Sequence, residues 1–95
     1  MIFGKVIGTV VATRKDEKIT GAKLLVVEQV GMDLKPEGKS LVAVDAVGAG
    51  IGEIVLLASG SSARQTSRTK DTPTDAVIMA IIDMIEAGGK TLFRK

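Results

Sequence analysis

The sequence contains no cysteine, histidine, tryptophan or tyrosine, and its only aromatic residues are Phe3 and Phe93. Without cysteine and histidine, one subunit cannot build a Ser-His-Asp or Cys-His catalytic arrangement. Metal sites that use thiolate or imidazole ligands are excluded for the same reason. The absence of cysteine also means that no disulfide framework exists. Carboxylates remain as the groups that could carry acid-base chemistry.

Long hydrophobic runs are also missing, because no stretch approaches the roughly 18 consecutive apolar residues that a membrane-spanning helix needs. The segment that begins at Met1 lacks the charged start and the cleavage site of a signal peptide. We therefore expect a cytosolic protein without a membrane partner. The net charge is only +2, from 13 basic and 11 acidic residues, so the charge gives no indication of nucleic-acid binding.

Aliphatic side chains are abundant. Hydrophobic residues make up 45% of the 95 residues, and the mean hydropathy is +0.30. A chain of this length forms one domain, here residues 1–95, and buries only about two thirds of the surface it would expose when unfolded. More apolar side chain is present than one small core can hide, which indicates a subunit interface.

Runs of Val, Ile and Leu predict four strands separated by polar or glycine-rich segments. Gly4 and Gly8 interrupt the first run in the way expected of a strand that bends or lies close to another backbone. The residues from 32 to 40 are polar and predict a loop. The four predicted strands are Ile2–Ala12, Lys23–Val30, Leu41–Val47 and Glu53–Ala58.

The second half of the chain is less regular. Residues 59–72 predict a long polar loop, with a single helical turn at Ala63–Thr66 favoured by nearby serines. Residues 74–86 are ambiguous, because Pro73 and Asp75 resemble a helix start whereas the β-branched run favours a strand. The pair Gly88-Gly89 favours a hairpin.

The glycine-rich loop at residues 48–52 is the most unusual local feature. Its spacing is G-x-G-x-G rather than the G-x-G-x-x-G of dinucleotide-binding proteins, and a strand-like segment follows where the phosphate-binding helix should begin. We therefore interpret the loop as a place where backbones pack closely, and no cofactor is expected.

Two functional alternatives remain open on these patterns. The first is a small enzyme using Asp45, Glu53 or Asp83 as acid and base, although isolated acids at strand ends usually cap turns or pair with a basic residue such as Arg64. The second is an OB-like nucleic-acid-binding module, since a small strand-rich domain with glycine kinks fits that fold. The missing aromatic platform argues against it.

Three segments together resemble the family of vertex proteins of bacterial microcompartments, which include carboxysomes and ethanolamine-utilisation compartments. They are KVIGTVVAT at residues 5–13, GAKLLVV at residues 21–27, and VDAVGAGIGE at residues 44–53. The third segment continues through VLL to GSSAR at residues 60–64, and residues 75–83 fit the late strand of the family. The resemblance covers nearly the whole chain, and its third segment is far more specific than the glycine spacing alone.

This resemblance implies a mainly β protein, a five-stranded OB-like barrel with one short helix that assembles as a cyclic homopentamer. It also implies that residues 74–86 form a strand. The expected role is structural rather than enzymatic: pentamers close the five-fold vertices of a shell of hexameric tiles, within the cytoplasm. Hexameric shell proteins are then the expected partners, and neither nucleic acid nor a membrane is.

The family pattern also indicates which residues set the subunit interface and the approach to the five-fold axis. We expect the glycines to permit close packing, and Glu53 and Arg64 to offer opposite charges that fix the register of neighbouring subunits. The candidates are Asp45, Gly48, Ala49, Gly50, Gly52, Glu53, Ser61, Ser62, Arg64 and Asp83.

Overall fold

A computed structural model describes residues 1–13, 15–60, 63, 65–66 and 76–95. Those residues form seven strands, and one 3-10 turn at Glu17–Ile19 begins at Asp16, whose side chain accepts a hydrogen bond from the Lys18 amide. The strands are β1 (Ile2–Val10), β2 (Leu24–Val30), β3 (Pro36–Asp45), β4 (Ile54–Ser59), β5 (Ala76–Ile81), β6 (Met84–Ala87) and β7 (Lys90–Arg94).

Five of these strands close into a barrel in the order β1-β2-β3-β5-β4, and β4 returns to pair with β1. All neighbouring pairs are antiparallel except β3 and β5, which run parallel for a short stretch where Val44 pairs with Val77 and Asp45 with Ile78. The predicted fold class, a mainly β five-stranded barrel of OB-like type, is confirmed. Strands β1, β2 and β4 lie where the β-branched runs predicted them, and β3 overlaps its predicted run in its second half.

The barrel interior is filled by aliphatic side chains from all five strands. In β2, inward and outward positions alternate, so that Leu25 and Val27 are buried while their immediate neighbours are only partly buried. The interior is small enough for branched aliphatic residues to fill it without aromatic rings. The buried cluster is Val6, Leu25, Val27, Ala43, Ala49, Val55, Leu57 and Ile78.

Gly4 lies at one of the closest approaches inside the barrel. A side-chain carbon added at Gly4 would overlap Val27 Cγ1 and would lie 3.0 Å from Leu57 Cδ1. By contrast, a carbon added at Gly8 would meet Val26 at an ordinary 3.8 Å. Gly4 is thus closely approached, but by side chains of the core rather than by the neighbouring backbone that the sequence predicted.

A second apolar cluster lies beside the first and joins β3, β4 and β5. It consists of Val44, Ala58, Ala63 and Val77, and the partly buried Leu24 and Met79 pack against it. Ala63 is fully buried although it belongs to the polar segment after β4. Ala63 thus packs against the barrel although little of its sequence neighbourhood is apolar.

The predicted loop at residues 32–40 is wrong in its second half, because β3 begins at Pro36. Residues 36–40 are all exposed, and β3 pairs there with β2 through contacts such as Ser40 opposite Glu28. Backbone hydrogen bonds to a neighbour, rather than burial of side chains, place these residues in a strand. No apolar periodicity was available to predict it.

Residues 74–86 were expected to form one strand, and this is corrected by a break at Ile82 and Asp83. Strand β5 ends before the break, and β6 starts a separate two-stranded sheet with β7. The hairpin predicted at Gly88-Gly89 is confirmed, and φ angles of +58° and +75° at these residues suit glycine.

The predicted helical turn at Ala63–Thr66 includes Arg64, which lies outside the described residues. Ala63 itself has 3-10 conformation, whereas Gln65 and Thr66 are not helical. In the part of the chain that the structure describes, no helix has the length and apolar character needed to cross a bilayer.

Candidate functional site

The glycine-rich loop connects β3 to β4 and crosses one end of the barrel. Gly48 and Gly52 have φ angles of +78° and +90°, a region that residues with a side chain rarely adopt. Between them Ala49 turns inward and is fully buried in the barrel cluster. The loop therefore has a fixed path in which glycines make the turns and one methyl group closes the core.

Asp45, at the end of β3, holds the first half of this loop. Its Oδ1 atom accepts hydrogen bonds from the backbone amides of Val47 and Gly48, both at 3.0 Å. The residue is only 9% exposed. This carboxylate caps the turn that leaves the strand, which is the ordinary structural role expected of an isolated acid at a strand end.

Lys23 connects the same turn to the start of β2. Its Nζ atom donates a hydrogen bond to the Ala49 carbonyl oxygen at 3.1 Å and lies 3.8 Å from Asp45 Oδ2. The Asp45 amide in turn donates to the Lys23 carbonyl oxygen at 2.9 Å. One cation thus joins the buried carboxylate to the backbone of the glycine-rich loop.

Glu53 closes the second half of the loop. Its Oε1 atom accepts a hydrogen bond from the Gly50 amide at 2.6 Å, and the Glu53 amide donates to the Gly50 carbonyl oxygen at 3.2 Å. The Oε2 atom lies 2.7 Å from Lys95 Nζ at the end of the chain. The hydrogen bond from Lys95, and then that from Gly50, lowers the pKa of Glu53 below its ordinary value of 4.5.

The loop also continues the pairing between β1 and β4. The Gly52 amide donates to the Val6 carbonyl oxygen at 2.8 Å, and the Val6 amide donates to the Glu53 carbonyl oxygen at 3.0 Å. Because Val6 is fully buried, the loop is anchored on a core strand. Backbone and side-chain contacts therefore hold it at both ends.

Two large apolar side chains of this region point away from the core. Ile51, at the tip of the loop, is 68% exposed, and Val47 is 41% exposed. A loop whose backbone is fixed and whose apolar tips are exposed has the character of a preformed contact surface.

The structure brings six of the ten predicted site residues together in this loop, namely Asp45, Gly48, Ala49, Gly50, Gly52 and Glu53. Asp83 is exposed at the start of the hairpin, where its carbonyl oxygen accepts a hydrogen bond from the Lys95 amide at 2.8 Å. Asp83 is thus linked to Glu53 through Lys95. The other three predicted residues, Ser61, Ser62 and Arg64, lie outside the described residues, and the expected pairing of Glu53 with Arg64 stays a prediction.

Two lysines of the site were not predicted from the sequence. Lys23 lies in a predicted strand with no pattern that sets it apart, and Lys95 lies beyond residue 83, outside the segments that resemble the family. Each reaches the loop from a distant part of the chain, 26 residues from Ala49 and 42 residues from Glu53 respectively. Only the barrel topology brings these residues near the loop.

The arrangement does not provide acid-base chemistry among the described residues. Asp45 is occupied by two backbone amides, and Glu53 by one amide and one ammonium group. Within the described part of the chain, no three acidic side chains converge in a way that could hold a metal ion. Both carboxylates therefore stabilise the conformation of the loop.

The Glu53 and Lys95 pair predicts a pH dependence of stability. Because the folded-state pKa of Glu53 is lowered, its contribution is present above the unfolded pKa and is lost as the pH falls through the folded value. The pKa of Lys95 is raised from 10.5, chiefly by its hydrogen bond to Glu53, so its contribution is present below 10.5 and disappears as the pH rises through the folded value.

Urea unfolding of wild type and Lys95→Met should therefore differ at pH 7 and converge at an acidic pH below the lowered folded-state pKa of Glu53. Lys90→Met, which removes an exposed lysine of the same hairpin, is the control and should change little at either pH. A difference between wild type and Lys95→Met that does not shrink as the pH falls and Glu53 becomes protonated would contradict the ion-pair explanation.

A closed five-stranded barrel of this order, with a short parallel contact between β3 and β5, defines the chain as a small OB-like protein. The family model described as "Ethanolamine utilisation protein EutN/carboxysome" matches residues 1–83. The chain belongs to this family.

Relatives from three organisms support the assignment. The chain is 50% identical over 86 residues to the bacterial microcompartment shell vertex protein GrpN of Rhodospirillum rubrum, covering 90% of this chain and 97% of GrpN. It is 44% identical over 95 residues to the vertex protein EutN of Salmonella typhimurium, covering 100% of this chain and 96% of EutN. It is 42% identical over 96 residues to the carboxysome shell vertex protein CcmL of Nostoc sp., covering 100% of this chain and 95% of CcmL.

Solved structures agree over the same lengths. The structure of Nostoc sp. CcmL superposes with a TM-score of 0.96 and covers 100% of both chains. The structure described as the GrpN pentameric microcompartment shell protein superposes with a TM-score of 0.84, at 49% identity, covering 92% of this chain and 99% of GrpN.

Proposed function

We propose that this protein forms homopentamers that cap the five-fold vertices of a bacterial microcompartment. It is a structural shell component rather than an enzyme, and it resides in the shell within the cytoplasm. One observation carries the proposal: the chain matches vertex proteins over nearly its full length at 42–50% identity. The match to a structure described as pentameric supports the oligomeric state.

The mechanism is geometric. A flat layer of hexagonal tiles cannot close by itself, and five-fold units at the corners supply the curvature. A cyclic pentamer needs a head-to-tail interface in which two different faces of the subunit meet. Our proposal extends to the partners: the outer rim of the pentamer fits the edges of hexameric shell proteins, and neither nucleic acid nor a membrane is involved.

Residues 1–95 act as one domain in this proposal, and the glycine-rich loop contributes to the subunit interface together with Asp83 and the Ser61–Arg64 segment. The exposed side chains of Val47 and Ile51 support this role, because they are apolar and stand on a loop held by Asp45 and Glu53. A rigid loop loses little conformational entropy when a neighbouring subunit covers it.

Native mass spectrometry of the purified protein tests the proposal, and we expect a mass of five subunits. Co-expression with hexameric shell proteins should then give closed shells only when this protein is present. A stable monomer or dimer at all concentrations would overturn the proposal. Salt-sensitive binding to a single-stranded nucleic acid would favour the OB-like binding module instead.

The interface role of the loop is tested by Ile51→Ala. Truncating an apolar side chain that becomes buried between subunits should cost about 1.5 kcal/mol at each contact, or roughly tenfold in subunit affinity. The monomer should keep its stability, since Ile51 is 68% exposed there. Met32→Ala is the matched control, because Met32 is 53% exposed in a different loop. Equal pentamer stability in both variants would argue against an interface at the loop.

A further inference from the structure

The hairpin of β6 and β7 is separate from the barrel. It forms its own two-stranded sheet, and Ile85, which is buried at its centre, belongs to neither apolar cluster. The molecule measures 46 × 23 × 22 Å, longer than a small barrel alone requires. The hairpin also begins after residue 83, where the family match ends.

A two-stranded hairpin of this kind is marginally stable in water by itself. Two of its large apolar side chains face solvent, with Met84 46% exposed and Leu92 37% exposed. Charged residues, Glu86 and Arg94, stand beside them and are exposed as well. An apolar pair with a charged border is the composition of a contact surface.

A groove on the outside of the barrel offers a complementary surface. It has a volume of about 460 Å³ and is lined by Met1, Ala58, Ser59, Gln65 and Met79. Two of these residues are methionines, whose flexible side chains adapt readily to the shape of a partner.

The hairpin and the groove lie at opposite ends of β4. The hairpin leaves the barrel beside Ile54, whose carbonyl oxygen accepts a hydrogen bond from the Ile82 amide at 2.8 Å. The groove lies at the other end, at Ala58 and Ser59. A strand of this length spans roughly 17 Å, so a hairpin that points away from its barrel is remote from its own groove.

We propose that the hairpin is an arm whose Met84 and Leu92 side chains dock into the groove of an adjacent copy of this chain. The proposal rests on the pentamer of the proposed function, because only a ring places a neighbour beside every arm. Arm and groove are the two different surfaces that a head-to-tail ring requires. The Lys95–Glu53 ion pair at 2.7 Å fixes the base of the arm to the glycine-rich loop, which gives the arm a defined direction.

The absence of native cysteine allows a direct test by crosslinking. In the double variant Leu92→Cys with Met79→Cys, a short thiol-reactive crosslinker should join neighbouring subunits and give a covalent series up to five chains in denaturing gels. The control, Leu92→Cys with Lys39→Cys, places the second thiol on an exposed position of β3 outside the groove and should give no such series. Circular dichroism checks that each variant folds, and Met84→Cys with Met1→Cys replaces the first pair if it does not.

A second measurement removes the arm contact without crosslinking. Met84→Ala with Leu92→Ala should raise the subunit concentration at which pentamers dissociate at least tenfold. If the wild-type protein does not form pentamers, the proposed function itself is overturned. A stable wild-type pentamer without crosslinks, or with unchanged dissociation in the alanine variant, would overturn only the arm and leave the hairpin for contact with other shell proteins.

Discussion

Gly4→Ala lowers the free energy of unfolding by about 2 to 3 kcal/mol in our expectation, one of the two largest effects of a small substitution in this chain. The added methyl carbon would overlap Val27 Cγ1 and would lie 3.0 Å from Leu57 Cδ1. Both neighbours are fully buried, so neither can move into solvent. Val27 is also β-branched and has few alternative rotamers.

Gly8→Ala is the matched control on the same strand. The carbon added at Gly8 meets Val26 at 3.8 Å, which is an ordinary contact. Alanine also reduces the conformational entropy of the unfolded chain, which favours the folded state. We therefore expect the stability of Gly8→Ala to stay within about 0.5 kcal/mol of wild type. Thermal unfolding separates the two variants, because a loss of 2 to 3 kcal/mol lowers the midpoint of a domain of this size by about 10 to 20 °C. Equal midpoints for the two variants would mean that the barrel relaxes around Gly4.

The strands of the barrel were predictable where burial produced a pattern. The runs that became β1, β2 and β4 are rich in β-branched and aliphatic residues, and Gly88-Gly89 indicated the hairpin. The first half of β3 was missed because its residues are exposed, so backbone pairing with β2 alone places them in the sheet. The expectation of a closed five-stranded barrel came from the family resemblance, since periodicity carries no information on strand order.

The candidate site was likewise predictable only where its contacts are local in the sequence. Asp45 as a turn cap follows from local chemistry, and the structure places it so. The glycines of the loop were expected to permit close packing, but at Gly48 and Gly52 the structure shows positive φ angles and no atom within 4 Å of an added side-chain carbon. The contacts of Lys23 and Lys95 depend on residues 26 and 42 positions away. No local pattern encodes such distances, and lysines on strands are common. The position of Lys95 also depends on the hairpin, which begins where the family match ends.

These contacts give the glycine-rich loop support from three separate parts of the chain. Asp45 and Lys23 hold its first half, Glu53 and Lys95 its second half, and Val6 pairs with its end. Glycines alone would leave a loop flexible. The surrounding carboxylates and lysines restore a single conformation, which in our proposal lets each of five subunits present the same contact surface.

Asp45→Ala should therefore have a large effect, lowering the free energy of unfolding by about 2 kcal/mol. The change removes two charge-assisted hydrogen bonds at 3.0 Å to Val47 and Gly48 and leaves Lys23 without its carboxylate partner. The loss stays below that of a fully buried charge pair because Val47 and Gly48 are exposed, and water can reach their amides.

Asp45→Asn is the informative companion variant, because its amide oxygen can still accept both backbone hydrogen bonds while the negative charge is gone. We expect it to lose about half as much stability as Asp45→Ala. If the loop is the interface, both variants should also weaken the pentamer in native mass spectrometry, and Asp45→Ala should do so more strongly. A destabilised barrel with an unchanged pentamer would separate the two roles and assign Asp45 to folding alone.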